Sequence, residues 1–579
     1  SNEAMEPMKN PKQGGVRTTI FVFVMTGMES IGFFANMSNL VLYCLFIMHF
    51  DLSASANTTT NYMGTAFLMA LLGGVVSDSY MNRMNTTLFF GSLEILGYIL
   101  MIIQSHERKL QPEPCLESTC IKGGKAVMFY SGLYLIALGA GGIKGAVPSL
   151  GADQFDLNDP KGRASIASFF NWFQLSQTLG AIIGVTVVVW VSTNKGYDKG
   201  YIISIACAFV GFLVLALGKP FYRVRVPSDN CEYLTLHTIV QVLFVMVKNI
   251  NKKVPEDVNA LYETRDEESH LHEELPHTRQ FRLLDKAAIV PKDKKLGKWS
   301  VCTVNQVEEV KILTRMMPII LSTIIMNTCL AQLQTFSIQQ GTLMDNRLGS
   351  FKVPSGSIPV IPFIFMTGLI PIYELLFVPI IRKYTGLPSG ISHLQRVGVG
   401  LVLGAVSMGI AGLIEVKRRN QLVNHGNQIG LFWLAFHYGV FGIADMFTLV
   451  GLMEFFYTEA PKRMRSLSTS FTALSLAAGF YLSSALVNII NSVTGNLTKN
   501  KMGWLEGRDL NTNQLNLFYW FLAIISVLNF GNYLFWSNWY KYKSDVPVLH
   551  KEKDIRVHSF NGEEGNVKEH TLLKEGNGA

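Results

Sequence analysis

Twelve long apolar blocks, separated by polar loops, leave this chain few folds to choose from. About 20 mostly apolar residues cross about 30 Å of hydrocarbon. A backbone in lipid must also satisfy its own hydrogen bonds, so each block is a helix. The first six blocks lie near 19–49, 58–77, 84–104, 126–147, 164–192 and 199–218. The second six lie near 310–338, 357–382, 393–416, 428–456, 466–492 and 514–540. Charged residues make up only 16% of the chain, against about 25% in soluble domains. The expected fold is an all-α membrane protein of two six-helix bundles, residues 19–220 and 306–541. Polar ends at 1–18 and 542–579 flank the bundles, and a linker rich in Lys, Glu, Asp and His joins them at 221–305. The linker reads as a tether, with one amphipathic helix near Glu232–Ile250, where apolar residues recur at helical spacing.

The formal charge of +8 is spread over the loops. That distribution suits anionic lipid on the inner face and lacks the concentrated basic strip of a nucleic-acid binder. The first apolar block is too long and too glycine-punctuated for a signal peptide. Cys44, Cys207 and Cys329 lie inside apolar blocks and read as small core residues. Cys115 and Cys120 share a polar loop and can form a disulfide if that loop is extracellular. The sequence carries no phosphate-cradling loop, no metal-ligand spacing and no nucleophile–base arrangement. No catalytic residue, metal or cofactor is expected, which excludes an enzyme or an ATP-driven pump. A carrier and a solute sensor remain; a channel lacks a repeated filter-like loop.

Ionisable residues inside spans are costly and mark function by default. They include Glu29 in the first block, Lys144 in the fourth, and Asp445 and Glu454 in the tenth. Two carboxylates and a lysine around a cavity can exchange protons and salt bridges as the bundles move; the plainer alternative is a fixed lock. Asn36 and Asn39 offer polar contacts or interhelical bonds. Tyr43, Phe173, Phe441 and Phe447 offer walls for an apolar ring or simple packing.

Several segments carry a family resemblance. GGVVSDSYMNRMN follows the second block, with Gly73 and Gly74 suited to close helix approach and Asp78 and Arg83 able to pair at the membrane edge. NLVLY (39–43), ALGAGGIKGAVPSLGADQFD (137–156), FFNWF (169–173), RLLDKAAIV in the linker, AQLQTFSIQQ (331–340) and LMEFFYTEAPKRMRSLSTS (452–470) follow in order. Together they closely resemble the plant nitrate/peptide transporter family of the proton-dependent oligopeptide transporters. The resemblance implies the major facilitator fold with twelve transmembrane helices and both termini inside. It also implies carriage of a small-molecule substrate, often with protons, and residence in the plasma membrane.

Against that family two positions depart. Its first helix carries a Glu-x-x-Glu-Arg motif linked to proton coupling; here Thr26 and Ser30 replace the first acid and the arginine, and only Glu29 remains. Coupling is therefore expected to be weakened. In a nitrate-carrying member a histidine precedes Ala-Gln-Leu in the seventh helix; here Leu330 stands there, beside Gln332. An apolar side chain offers a small anion no donor, which favours an organic substrate, with nitrate as the alternative. Stretches such as NMSNLVLY, TAFLMALLGG and HLQRVGVGLVL resemble members that move abscisic acid or gibberellin. Lys144 would hold the substrate's carboxylate. Thr86 matches a regulatory phosphorylation threonine, implying a kinase, or reads as a capping hydroxyl. Asn57-Thr58-Thr59 and Asn496-Leu497-Thr498 read as glycosylation sequons in outward loops.

Overall fold

A computed structural model describes residues 14–542, apart from 116, 156–159, 224–234, 256–260, 263–274, 276, 291–298, 386–390, 460–464, 498–501 and 508. Six helices form the first half: α1 (Val16–Phe46), α2 (Leu52–Ser79), α3 (Arg83–His106), α4 (Gly124–Ala152), α5 (Pro160–Ile183, continued through Gly184–Val188 and Val189–Lys195) and α6 (Tyr197–Leu217). The linker contributes α7 (Thr235–Lys248). The second half comprises α8 (Val304–Leu333, resumed at Phe336–Gly341), α9 (Val360–Ile372, continued through Tyr373–Phe377 and Val378–Thr385), α10 (His393–His425), α11 (Ala435–Glu459), α12 (Arg465–Leu497) and α13 (Leu515–Trp539). Among the described residues, eleven helices are long and apolar enough to span a membrane, and the interrupted α9 makes a twelfth element of the two halves.

Polar caps set the helix starts. Asp51 accepts from Ala54 N at 2.6 Å and opens α2. Asn82 accepts from Asn85 N at 2.8 Å and opens α3. Thr303 with Gln306 and Ser392 with Gln395 form capping boxes on α8 and α10. The glycine run of α4 explains how the first half closes. A Cβ at Gly141 would lie 2.3 Å from the Ala66 carbonyl oxygen, so α2 rests on the backbone of α4. Without a hydrophobic drive between helices in lipid, such close van der Waals contact is what joins them. Large apolar side chains such as Phe209, Leu217, Val527 and Phe535 remain on the outside of the bundles, where lipid covers them.

The hydrogen bonds that join the halves among the described residues all lie from mid-helix to one end. Ser53 donates to the Leu505 carbonyl at 2.7 Å and accepts from Asn491 at 2.8 Å. Asn57 donates to Asn488 at 2.7 Å, Thr65 meets the Tyr481 hydroxyl at 2.7 Å, and Gln339 donates to the Leu52 carbonyl at 3.0 Å. The same end carries the Cys115–Cys120 disulfide, whose loop accepts from Asp51 N at 2.9 Å. Disulfides persist in oxidising compartments, which makes this the expected outer end, and the molecule is closed on it. Asn57 is consequently no glycosylation loop: it lies inside α2 with its amide engaged across the halves. Thr498 of the second sequon lies outside the described residues.

The described part of the linker is more than a tether. Val242 and Val245 of α7 form a small core with Leu284, Ala287, Val307 and Val310. Beneath it, fully buried Lys311 sits 2.7 Å from both Asp285 and Glu308. Thr278 donates to Glu308 at 2.8 Å and Arg315 donates to Thr278 at 3.1 Å. This network fastens the linker to the inner end of α8.

Candidate functional site

Glu29 and Lys144 meet across the first half. Lys144 Nζ lies 2.9 Å and 3.2 Å from the two carboxylate oxygens of Glu29 and 3.9 Å from the centre of the Phe33 ring. The lysine side chain keeps 15% of its surface and the glutamate 4%, so the cationic member is the more exposed of the two. The pair joins two helices of the first half, α1 and α4. Beside it stands a residue that the sequence reading passed over. Glu94 of α3 is completely buried, and both its carboxylate oxygens lack a partner. It lies within electrostatic reach of Glu29 and Lys144. Its signal was available: an acid in the middle of the apolar run SLEILGY meets the same rule that singled out Glu29.

The remaining candidates divide by location. Asn36 donates to the Tyr62 hydroxyl at 2.9 Å, and Asn39 to Ser192 at 2.9 Å; both are buried on α1, two and nearly three turns beyond Glu29. Leu330 packs against the cores of both halves at their junction. Gln332 donates to Thr328 O at 3.0 Å and Ser483 Oγ at 2.8 Å, tying α8 to α12. Tyr43 is fully buried among Phe129, Tyr197 and Tyr201, and Phe441 is buried within the second-half core. Both are thus buried in this closed arrangement. Phe173 packs beside Phe169 at 5.7 Å, and Phe447 meets the Tyr373 ring at 5.5 Å. Asp445 is half-buried on α11. The Glu454 side chain lies outside the described residues, as does that of Asp78.

Thr86 is fully buried, with its hydroxyl donated to the Asn82 carbonyl at 3.1 Å. Asn82, and not Thr86, caps α3. A kinase would reach Thr86 only if the first turn of α3 opened. Arg83 pairs with Asp153 and donates to the Ser149 carbonyl at 3.1 Å, joining α3 to the inner end of α4. His277, Asp285 and Glu308 approach within 4.8 Å of one another, but Lys311 already supplies the cation there.

A POT family profile matches residues 84–505. The chain is a member of the POT family. It is 42% identical over 566 residues to Arabidopsis thaliana protein NRT1/PTR FAMILY 4.6, spanning 92% of this chain and 95% of that one. Solved structures share the fold. An auto inhibited POT family peptide transporter aligns with a TM-score of 0.68 at 18% identity, over 91% of this chain and 98% of that one. A POT family transporter in complex with 5-aminolevulinic acid aligns with a TM-score of 0.62 at 13% identity, over 91% of this chain and 98% of that one. The chain is thus a multi-pass membrane transporter. The AQLQTFSIQQ motif acquires a structural meaning in this POT transporter: it spans the break at Thr335 in α8 and delivers Gln339 to the outer seal.

Proposed function

We propose that this transporter carries a small organic solute bearing a carboxylate, of the kind of abscisic acid or gibberellin, across the plasma membrane by rocking of its two halves, with proton coupling weakened. The observation that carries this reading is the Glu29–Lys144 pair standing without the usual first-helix acid and arginine, whose positions hold Thr26 and Ser30. Lys144 is a cation that a substrate carboxylate can claim, and Glu29 is the carboxylate that competes for it. Protonation of Glu29 removes its charge and frees the ammonium for substrate. Loss of that proton restores the pair and expels the substrate. The outer side is closed with the pair intact, which fits a carrier that has released its cargo inward.

Leu330 at the junction of the halves supplies apolar surface and no donor, which suits an organic body better than nitrate. A structural neighbour of the same fold was solved in complex with 5-aminolevulinic acid, which supports a small solute bearing a carboxylate. The weak point of the pair as a coupling device is its single acid: with Thr26 unable to ionise, one proton acceptor of the motif is gone. Uptake into a heterologous cell tests the reading. Abscisic acid or gibberellin should accumulate, uptake should vanish in Lys144→Ala, and a protonophore should reduce it only modestly. Binding without counterflow would make the chain a sensor instead.

A further inference from the structure

The acid that remains on the first helix, Glu29, has an acidic neighbour on the third. Among the described residues, Glu94 is the acidic side chain whose two oxygens are both buried and unpartnered. A Cβ at Gly139 of α4 would lie 2.5 Å from the Glu94 backbone nitrogen and Cβ, so α4 is pressed against α3 at this level. The groups facing Glu94 are Glu29 of α1, Tyr62 of α2, Tyr98 on its own helix and Lys144 of α4, with Tyr201 of α6 beyond Tyr98. One ammonium therefore serves two carboxylates. If both were ionised, the bundle would hold an uncompensated negative charge in a dry interior, which burial strongly opposes.

A polar file leads outward from this acid. The hydroxyls of Tyr98 and Tyr201 and the side-chain oxygens of Asn36 and Asn39 are buried without partners. Tyr98 and Tyr201 lie 6.4 Å apart by ring centroid. A cavity between α1, α5 and α6, lined by Asn36, Asn39, Ser192, Tyr197, Tyr201 and Ser204, is just roomy enough for one water. Orphaned buried polar atoms around such a space mark ordered water. The file rises along α1 from the level of Glu29 toward its outer end, behind the closed outer seal.

We propose that Glu94 is a proton-binding site, standing in for the acid that Thr26 replaces, and that the hydrated file from Tyr98 to Asn39 leads from it toward the outer end of α1. The proposal rests on the carrier reading above and says where its residual proton dependence resides. A proton arriving as hydronium through the file adds to the Glu94 carboxylate and leaves a neutral acid. Lys144 then faces Glu29 alone. When the proton departs as hydronium to the inner side, Lys144 gains a second carboxylate partner and binds a substrate carboxylate less well.

The test is infrared spectroscopy of the full-length protein in liposomes at stepped pH, combined with the pH profile of uptake. Wild type should show the carbonyl band of a protonated carboxylic acid that fades as pH rises. Glu94→Gln should lack that band and show a flattened uptake profile. Glu94→Asp, which keeps the acid, should shift the band. Tyr98→Phe, which leaves Glu94 in place, should slow hydrogen–deuterium exchange of the band several-fold and serves also if Glu94→Gln fails to fold. An identical band in wild type and Glu94→Gln, an unchanged uptake profile in that variant, or unchanged exchange in Tyr98→Phe would each overturn the proposal. A Glu94 band in a protein that moves no solute would overturn the carrier reading and leave the proton site standing.

Discussion

Two buried acid–base pairs, one from each half of the molecule, are built differently. In the second half, Arg418 grips both oxygens of Glu415 at 2.7 Å and 2.8 Å and donates its remaining arm to Asn511 at 2.9 Å. Both residues sit on one turn of α10, and both are essentially inaccessible. In the first half, Glu29 and Lys144 come from different helices, the lysine is partly open, and an unpartnered Glu94 stands nearby. A pair on one turn moves as a unit and cannot be opened by helix displacement. A pair between helices, short of partners, can be. On the proposed function, saturation of hydrogen bonds separates a structural pair from a working one, although both are buried ion pairs by distance alone.

The comparison can be broken or sharpened by substitution. The largest effect is expected from Lys144→Ala, which leaves Glu29 buried without its cation. Transport should be lost and stability should fall by about 3–5 kcal/mol, read from uptake and thermal unfolding. The double variant Glu29→Gln with Lys144→Gln should recover much of the stability and none of the transport. Arg418→Ala should cost a similar 3–5 kcal/mol or so by the same mechanism. Here, however, the apolar replacement Glu415→Leu with Arg418→Met should restore both stability and transport, with a wild-type pH profile. If that double variant lost transport while remaining folded, the division into structural and working pairs would be wrong.

Smaller effects probe the elements around the pairs. Gln339→Ala removes one bond of the outer seal, worth about 1 kcal/mol, and should raise the outward-facing population several-fold. An impermeant thiol reagent acting on Ser484→Cys, a position on α12 next to Ser483 that is buried in the closed structure, should report this as faster labelling from outside. The mildest expectation concerns Cys302, at the linker's junction with α8, where burial pushes the thiol up to about 12. An unfolded cysteine ionises near about 8.5. Between those values the unfolded chain loses a proton that the folded chain keeps, so this group's contribution to stability is intact below the unfolded pKa and declines as pH rises toward the folded one. Cys302 should resist alkylation at pH values about 8 to 9 until the protein unfolds.

Much of this architecture is legible in the chain, because lipid leaves the backbone little freedom. The twelve spans, the linker helix and the two charged residues Glu29 and Lys144 follow from apolar blocks and from charge placed inside them. That the two charges meet, from positions 115 residues apart in sequence, follows from helix packing and from no local spacing. Glu94 obeys the same rule as Glu29 yet carries no motif, so it was passed over. Asn57 has the letters of a sequon, and only the start of α2 at Leu52 reveals that its amide is engaged within the protein. The aromatics were the least legible, since Tyr43 and Phe441 have the composition of a binding wall and the burial of a core. Lysine 311 and its acids were hidden for a different reason: a polar linker gives no periodic signal for the tertiary contacts that bury it.

The most direct test of the central claim is competition uptake at two pH values, with and without a protonophore, comparing wild type with Lys144→Ala. Labelled abscisic acid, gibberellin, nitrate and a dipeptide should be presented to the same cells. Uptake of a carboxylate-bearing hormone, lost in Lys144→Ala and only modestly sensitive to the protonophore, is the predicted result. Uptake of nitrate or dipeptide with no uptake of the organic acids, or hormone uptake unchanged in Lys144→Ala, would contradict the account.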